Sequence, residues 1–220
     1  MRAALLLGAT GLVGGHCLEL LLNDSAYGKV VVVGRKLVPH EHAKLEQHVV
    51  DFDTLSGFAH LMRADDLFSC LGTTIKKAGS RENFRRVDFT YQLDAARLSR
   101  EQGAKQLLLV SSLGADPHSS IFYNRVKGEL ETAVSELALD AVNIFRPSLL
   151  LGERAEFRAG ERIAELPMRY VSFLMVGPLA KYRPVEARAV AAAMLKVAKE
   201  ERTGVNVFES DQIRRMTEGA

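Results

Sequence analysis

The sequence predicts a three-layer α/β/α fold built on a doubly wound parallel β-sheet, and three features carry that expectation. Short apolar segments alternate with longer helical patterns along the whole chain. The first apolar segment breaks at once into Gly8, Gly11 and Gly14, each three residues after the last. Finally, 220 residues of near-average apolar content suffice for one sizeable core, and no Pro/Ser-rich linker, charge block or repeat divides them. A single domain over residues 1–220 is therefore expected.

Each element has its own justification. Ala3–Leu7 is an unbroken apolar run, as expected of a strand covered on both faces. After the glycines, Leu12–Leu22 has amphipathic helical spacing, continued through "CLELLL". Val30–Val33 is four valines in a row, a second buried strand, and Gln47–Val50 and Asp66–Cys70 are short strand candidates after it. A long helical pattern covers Glu82–Gln102, followed by a strand at Gln106–Ser111. Asn124–Leu137 and Val185–Lys199 are the remaining helical patterns, with strands at Ala141–Phe145 and Val205–Glu209. Strand–helix alternation of this kind implies right-handed crossovers between parallel strands.

Composition excludes several function classes. The net charge is only +2 with no basic arm, so nucleic acid finds no electrostatic footprint. Clusters such as Arg85–Arg86 suit a solvated helix face. The longest apolar runs are too short to span a membrane. Arg2 and the residues after it imitate a secretory leader only briefly, because Gly-Ala-Thr-Gly and an amphipathic helix stand where a cleavage site should be. Cys17 and Cys70 are far apart in apolar contexts, which suits two reduced core thiols. A soluble protein of the cytoplasm is the expectation.

Sheets of this class bind ligands at the carboxyl ends of their strands, where strand order reverses. The glycine turn falls at such an end. It can present bare backbone N–H groups, backed by the positive end of a helix, to a phosphate. In a dinucleotide site the residue just past the second strand meets the adenosine ribose; an acid there suits NAD and a cation suits the 2′-phosphate of NADP. Here "VVVVGRK" offers Gly34 for room and then Arg35 and Lys36, so NADP(H) is expected over NAD(H), with a solvated loop as the plainer reading of the same two cations. Asp51 in "VVDFD" has two readings, a partner for the adenine amino group or a helix cap. Gly72 and Thr73 in "SCLGTT" are placed to meet the central ribose and phosphates.

The candidate chemistry follows the fifth strand. Ser111 and Ser112 stand at its end, and Tyr123 and Lys127 lie four residues apart, on one helix face. Tyrosine has an ordinary pKa of about 10, and bringing it into use near neutral pH requires about 4 kcal/mol. An ammonium at about 4 Å supplies roughly that at a protein surface. Lys127 can thus bias Tyr123 toward phenolate and hydrogen-bond the nicotinamide ribose, while Ser112 holds the substrate oxygen. Strand register leaves Ser111 open as the alternative.

With these motifs, "GATGLVG", "VVGRK", "VVDF", "CLGTT", "LLLVSSLGAD", "YNRVKGELE" and "FRPSLLLGER", nearly the whole chain resembles an atypical, single-domain short-chain dehydrogenase/reductase. It is most similar to the oxidoreductase family of the mammalian Tat-interacting protein, which shares the "SS-x-GAD" and "Y-x-x-VKGE" wording. The resemblance implies the NAD(P)-binding Rossmann form of the fold and NADPH as cofactor. It also implies that Thr10, Gly11, Leu12 and Val13 line the phosphate turn beside Gly8 and Gly14, that Arg35 and Lys36 face the 2′-phosphate, and that Tyr123 and Lys127 are catalytic. Cofactor contacts from Leu150 and Arg158 follow from it as well. Two departures stand out: "CLGTT" replaces the larger family's Asn-Asn-Ala-Gly segment, and the next helix offers Asp88 and Tyr91 where that family has a relay asparagine.

His40, His42 and His48 invite a metal reading, but they lie in a polar loop that nothing fixes, and no metal is expected. Leu166–Leu179 is apolar and suits a pocket lid, a subunit interface or plain core, within a substrate-covering segment at about 152–183. So short a segment favours a small carbonyl or alcohol substrate over a nucleotide sugar. Two functional readings follow: an NADP-dependent oxidoreductase of small carbonyls or alcohols, or a non-catalytic NADPH-binding regulator that binds a protein partner. A homodimer is compatible with either.

Overall fold

A computed structural model describes residues 1–151, 181–200 and 202–218. In chain order its elements are β1 (Arg2–Leu7), α1 (Leu12–Asn23), β2 (Tyr27–Gly34), β3 (Leu45–Val49), a 3-10 segment (Phe52–Met62) and β4 (Asp66–Ser69). There follow α2 (Ile75–Ala78), α3 (Arg81–Arg85), a π turn (Arg86–Thr90), α4 (Tyr91–Glu101), β5 (Gln106–Val110), α5 (Phe122–Ser135), β6 (Ala141–Arg146) and β7 (Leu150–Leu151). The last are β8 (Val185–Glu186), α6 (Ala187–Ala198), β9 (Gly204–Glu209) and α7 (Ser210–Thr217).

Seven strands form one parallel sheet in the order β3-β2-β1-β4-β5-β6-β9, and β7 pairs with β8 beside it. Strand order reverses between β1 and β4, the point at which such sheets open a crevice. The apolar runs are continuous because both faces are covered. One cross-strand row, Val31, Leu5, Leu67, Leu107 and Val142, packs with residues of the 3-10 segment, α4 and α5. The next row, Val32, Leu6, Phe68 and Leu108, faces α1 and α6. Each fully buried side chain of this kind contributes about 1.5–3 kcal/mol.

The amino edge of the sheet is held by a buried polar clamp. Asp66, fully buried, accepts hydrogen bonds from the Tyr27 hydroxyl at 2.6 Å and Gln106 Nε2 at 3.0 Å, and pairs with Arg2. Asn143 Nδ2 donates to Gln106 Oε1 at 3.1 Å, so the clamp ties β1, β2, β4, β5 and β6 together. In the core, Cys17 and Cys70, distant in sequence, meet with their Sγ atoms 3.8 Å apart, and both are free thiols. The contact with Cys70, together with burial, pushes the Cys17 thiol well above its ordinary range.

Several sequence expectations shift. The second strand starts at Tyr27, three residues earlier than its valines suggest, and the third is displaced to Leu45–Val49. The helical stretch from Arg81 to Glu101 is widened by the π turn at Arg86–Thr90. Val185 lies in a strand paired with Leu150, and α6 begins at Ala187. The sequence expectation also omits α7, whose polar surface hides a single buried apolar anchor, Ile213. Leu166–Leu179 and most of the expected covering segment lie outside the described residues.

The tightest backbone packing occurs at the opening glycines. A Cβ on Gly14 would lie 2.1 Å from the Gly8 carbonyl oxygen, whereas on the next residue, Gly15, it would meet only Ala9 O at 3.6 Å. Gly14→Ala should therefore lower unfolding stability by about 1–3 kcal/mol, as overpacking does. Gly15→Ala should be neutral or stabilising by up to about 1 kcal/mol, the helix propensity difference. Urea unfolding of both variants measures this, and equal effects at the two positions would refute the packing account.

Candidate functional site

The site begins at the turn between β1 and α1. Gly8 has φ +79, the left-handed region that glycine tolerates, and a Cβ there would strike the Cys70 carbonyl at 2.5 Å. The turns after β1 and β4 thus touch backbone to backbone across the switch point. Gly11, exposed, caps α1; its own N–H is spent on Gly8 O at 2.9 Å, and the first bond within the helix is Gly15 N–H to Gly11 O at 2.9 Å. The N–H groups of Leu12, Val13 and Gly14 precede that bond, with no side-chain cap and no acid in the first turn. Such an arrangement suits an anion, and the pyrophosphate of a dinucleotide fits it by its chemistry. The Val13 side chain is buried in the core and that of Leu12 packs against it, so these two can offer a ligand only backbone. Thr10 is exposed at the turn.

At the end of β2, Arg35 and Lys36 are exposed and take no ion-pair partner among the described residues, an arrangement that fits a 2′-phosphate. Asp51 realises its capping reading: it is exposed and accepts the Asp53 N–H at 3.0 Å. After β4, Gly72 is exposed and Thr73 donates its N–H to Asp88 Oδ2 at 2.9 Å.

The loop after β5 separates the two serines. Ser111 Oγ is buried and donates to the Glu131 carboxylate, which also receives Arg146 Nε at 3.0 and 3.1 Å. That pairing holds the Arg146 guanidinium above its ordinary range. Ser112 Oγ is buried with no hydrogen-bond partner among the described residues, and Ser112 lines a cavity of about 580 Å³ with Tyr123, Asn124, Arg146, Ser148 and Tyr182. The loop keeps this position because α5 has a glycine beneath it: a Cβ on Gly128 would lie 2.2 Å from the Asp116 carbonyl carbon.

Tyr123 stands in the first turn of α5, its ring packed on the buried Phe84 at 5.5 Å. One turn on, Lys127 is buried, and its Nζ lies 2.8 Å from Asp88 Oδ1. Burial works to lower the lysine's pKa, but Asp88, Tyr123 and Glu131 outweigh it and the net direction is upward. Of the two helix residues offered for a relay, Asp88 reaches the site; Tyr91 instead donates to Asp53 at 2.6 Å. The lysine therefore does not act on Tyr123 as an unpaired charge, as the sequence reading supposed.

The structure brings Ser112 and Tyr123 to one cavity, Lys127 one turn away, and Gly8, Thr10, Gly11, Leu12, Val13, Gly14, Gly72 and Thr73 to the switch-point turns. Leu150 is half-buried in β7 against the core, and Arg158 lies outside the described residues. Glu131 and Arg146 are the residues the sequence reading missed. The signal was present for one of them, since Tyr123, Lys127 and Glu131 repeat every four residues on a single helix face.

The chain is 41% identical over 167 residues to Protein HTATIP2 of Rattus norvegicus, covering 74% of this chain and 69% of the rat protein. It is 30% identical over 214 residues to Protein FMP52, mitochondrial, of Candida albicans, covering 94% and 91%. Among solved structures, MoeE5 in complex with UDP-glucuronic acid and NAD superposes with a TM-score of 0.72 at 17% identity, covering 98% of this chain and 81% of that one, a likeness of fold. The mitochondrial name, which other fungal relatives share, corrects the expectation of a cytoplasmic protein. Free thiols and short apolar runs are properties of many compartments and do not select one. No helix among the described residues is long and apolar enough to cross a membrane. Over residues 4–210 the chain matches the NAD dependent epimerase/dehydratase family, and with its parallel sheet, its glycine cradle and these relatives it belongs to that family.

Proposed function

We propose that the chain is an NADP-dependent oxidoreductase that moves a hydride between nicotinamide and a small carbonyl or alcohol. The observation that carries this reading is that Ser112, whose buried hydroxyl takes no hydrogen-bond partner among the described residues, and Tyr123, one helical turn from Lys127, line the same cavity. A buried polar atom left unpaired costs about 1–3 kcal/mol, and a substrate oxygen would satisfy it. The cavity is within the range of small-molecule sites.

Bound NADP(H) supplies or accepts the hydride. The N–H groups at the start of α1 hold its pyrophosphate, and Arg35 with Lys36 holds its 2′-phosphate. Lys127 positions the nicotinamide ribose. Ser112 orients the substrate oxygen and the Tyr123 hydroxyl donates a proton to it, or takes one from it in the reverse direction. A pure cofactor sensor has use for the lysine but none for an unpaired serine beside a tyrosine.

Two predictions follow the two halves of the site. NADPH should bind about ten- to a hundredfold more tightly than NADH, since a charge-assisted hydrogen bond is worth about 1.5–3 kcal/mol. Arg35→Glu should reverse part of that ratio with the fold intact; calorimetric titration measures both, and equal affinities in the wild type would remove Arg35 from its role.

For the chemistry, Tyr123→Phe should leave NADPH affinity nearly unchanged while carbonyl reduction falls by about two to four orders of magnitude. Lys127→Ala should lower affinity and turnover together. Ser111→Ala should lower unfolding stability by about 1.5–3 kcal/mol through Glu131, and Ser112→Ala should not. NADPH fluorescence, NADPH oxidation over a panel of small aldehydes, ketones and quinones, and urea unfolding distinguish these outcomes. Undiminished turnover in Tyr123→Phe would overturn the mechanism.

A further inference from the structure

Asp88 is the most deeply buried acid around the candidate site, at 1% exposure, and it sits in the π turn that interrupts the long helix. Single π turns concentrate at functional positions because they redirect a side chain. Its carboxylate has two duties: Oδ2 accepts the Thr73 N–H at 2.9 Å, and Oδ1 lies 2.8 Å from Lys127 Nζ. The first anchors the turn after β4, and the second anchors α5. One side chain therefore spans the crevice between the turn expected to meet the cofactor and the lysine expected to hold its ribose.

A carboxylate this close to an ammonium also changes what the ammonium does. Seen from a third group several ångströms away, the two charges oppose one another and the field falls steeply compared with that of a lone cation. Among the described residues, the groups around Lys127 offer no substitute for Asp88. From its own helix, Tyr123 and Glu131 face it, and Glu131 is engaged by Ser111 and Arg146. On α5, Glu129 pairs with Arg85 of α3; on α4, Asp94 pairs with Arg97; Asp116 and His118 lie exposed in the preceding loop.

We propose that Asp88 is a positioning residue acting through Lys127: it fixes the ammonium between the β4 turn and α5, and it damps the field of that ammonium at Tyr123. The inference deepens the oxidoreductase reading, because the bias on the tyrosine is then set by a pair of charges and not by the lysine alone. A lysine held this way keeps its ribose-binding geometry before any cofactor arrives.

The test needs neither cofactor nor substrate, so its failure is distinct from failure of the proposed reaction, which NADPH titration of the wild type reads separately. Tyrosinate formation is followed by ultraviolet difference absorption of the full chain against pH, and each variant is compared with its Tyr123→Phe counterpart to isolate Tyr123. In Asp88→Asn, Lys127→Arg, which removes the carboxylate, keeps an acceptor for Thr73 and leaves beside Tyr123 a cation that burial does not neutralise, the Tyr123 midpoint should fall by at least about one pH unit. In Asp88→Glu it should stay within about half a unit of wild type. If the Asn, Arg variant does not fold, the double variant Asp88→Asn, Lys127→Met is measured in its place, since replacing a buried pair by neutral groups is commonly tolerated. Its midpoint should match wild type, because a balanced pair and a neutral pair exert similar fields. An unchanged or raised midpoint in Asp88→Asn, Lys127→Arg, or a midpoint raised by more than about one unit in Asp88→Asn, Lys127→Met, would overturn the proposal.

Discussion

The site depends on one backbone contact, the approach of Gly8 to the carbonyl of Cys70 across the point where strand order reverses. The left-handed φ of Gly8 turns the chain out of β1 within a single residue, and the absence of a Cβ lets the turn after β4 lie against it. Gly14 repeats the device one helical turn later, under the Gly8 carbonyl. Together these contacts fix the direction of α1 and leave its first N–H groups facing the crevice. The same contact places Cys70, and hence Gly72 and Thr73, within reach of Asp88. A side chain at Gly8 would disturb the cradle and the β4 turn together.

A second close approach builds the other half of the site by the same physics. Gly128 admits the Asp116–Pro117 backbone onto α5, the helix that carries Tyr123 and Lys127, and the Asp116 N–H donates to Asn124 O at 3.1 Å. Ser111 is bonded to Glu131, twenty residues further along the chain, while Ser112 lines the cavity. On the proposed reading that carboxylate is what separates the two serines.

This explains what could be read before the fold was known. The succession of strands and helices follows from short Val- and Leu-rich runs alternating with helical spacing, signals that are local and survive inspection of one window at a time. The glycine turn between β1 and α1 was legible because the glycines sit beside a strand end, and the shared helix of Tyr123 and Lys127 because four residues make about one helical turn. The partnerships of buried charges were not legible. Asp88 with Lys127, Ser111 with Glu131, and Asp66 with Tyr27 and Gln106 join residues far apart in sequence, and nothing local distinguishes such an acid from a solvated one. The thiols show the same limit, since Cys17 and Cys70 touch only because α1 packs beneath the end of β4. The boundary of β2 slipped for a related reason: Tyr27 joins the strand to reach Asp66, a long-range demand.

The two edges of the sheet use buried polarity for opposite ends. At the amino edge Asp66 is surrounded by donors from three elements, which ties the strands together and leaves its carboxylate nothing to offer a ligand. At the carboxyl edge the polar groups are divided in kind. Asp88, Glu131 and Arg146 are paired, while the Ser112 hydroxyl has no hydrogen-bond partner among the described residues. Paired charges hold geometry at a modest net gain in stability, because their attraction is spent against desolvation. An unpaired buried hydroxyl lowers stability. Ser99 Oγ and Asn143 Oδ1 are likewise buried without a partner among the described residues, and Ser112 differs from them in lining the cavity. Arg146, held by Glu131, lines that cavity with Ser112 and Tyr123, and on the proposed reading a substrate oxygen is what the serine hydroxyl receives.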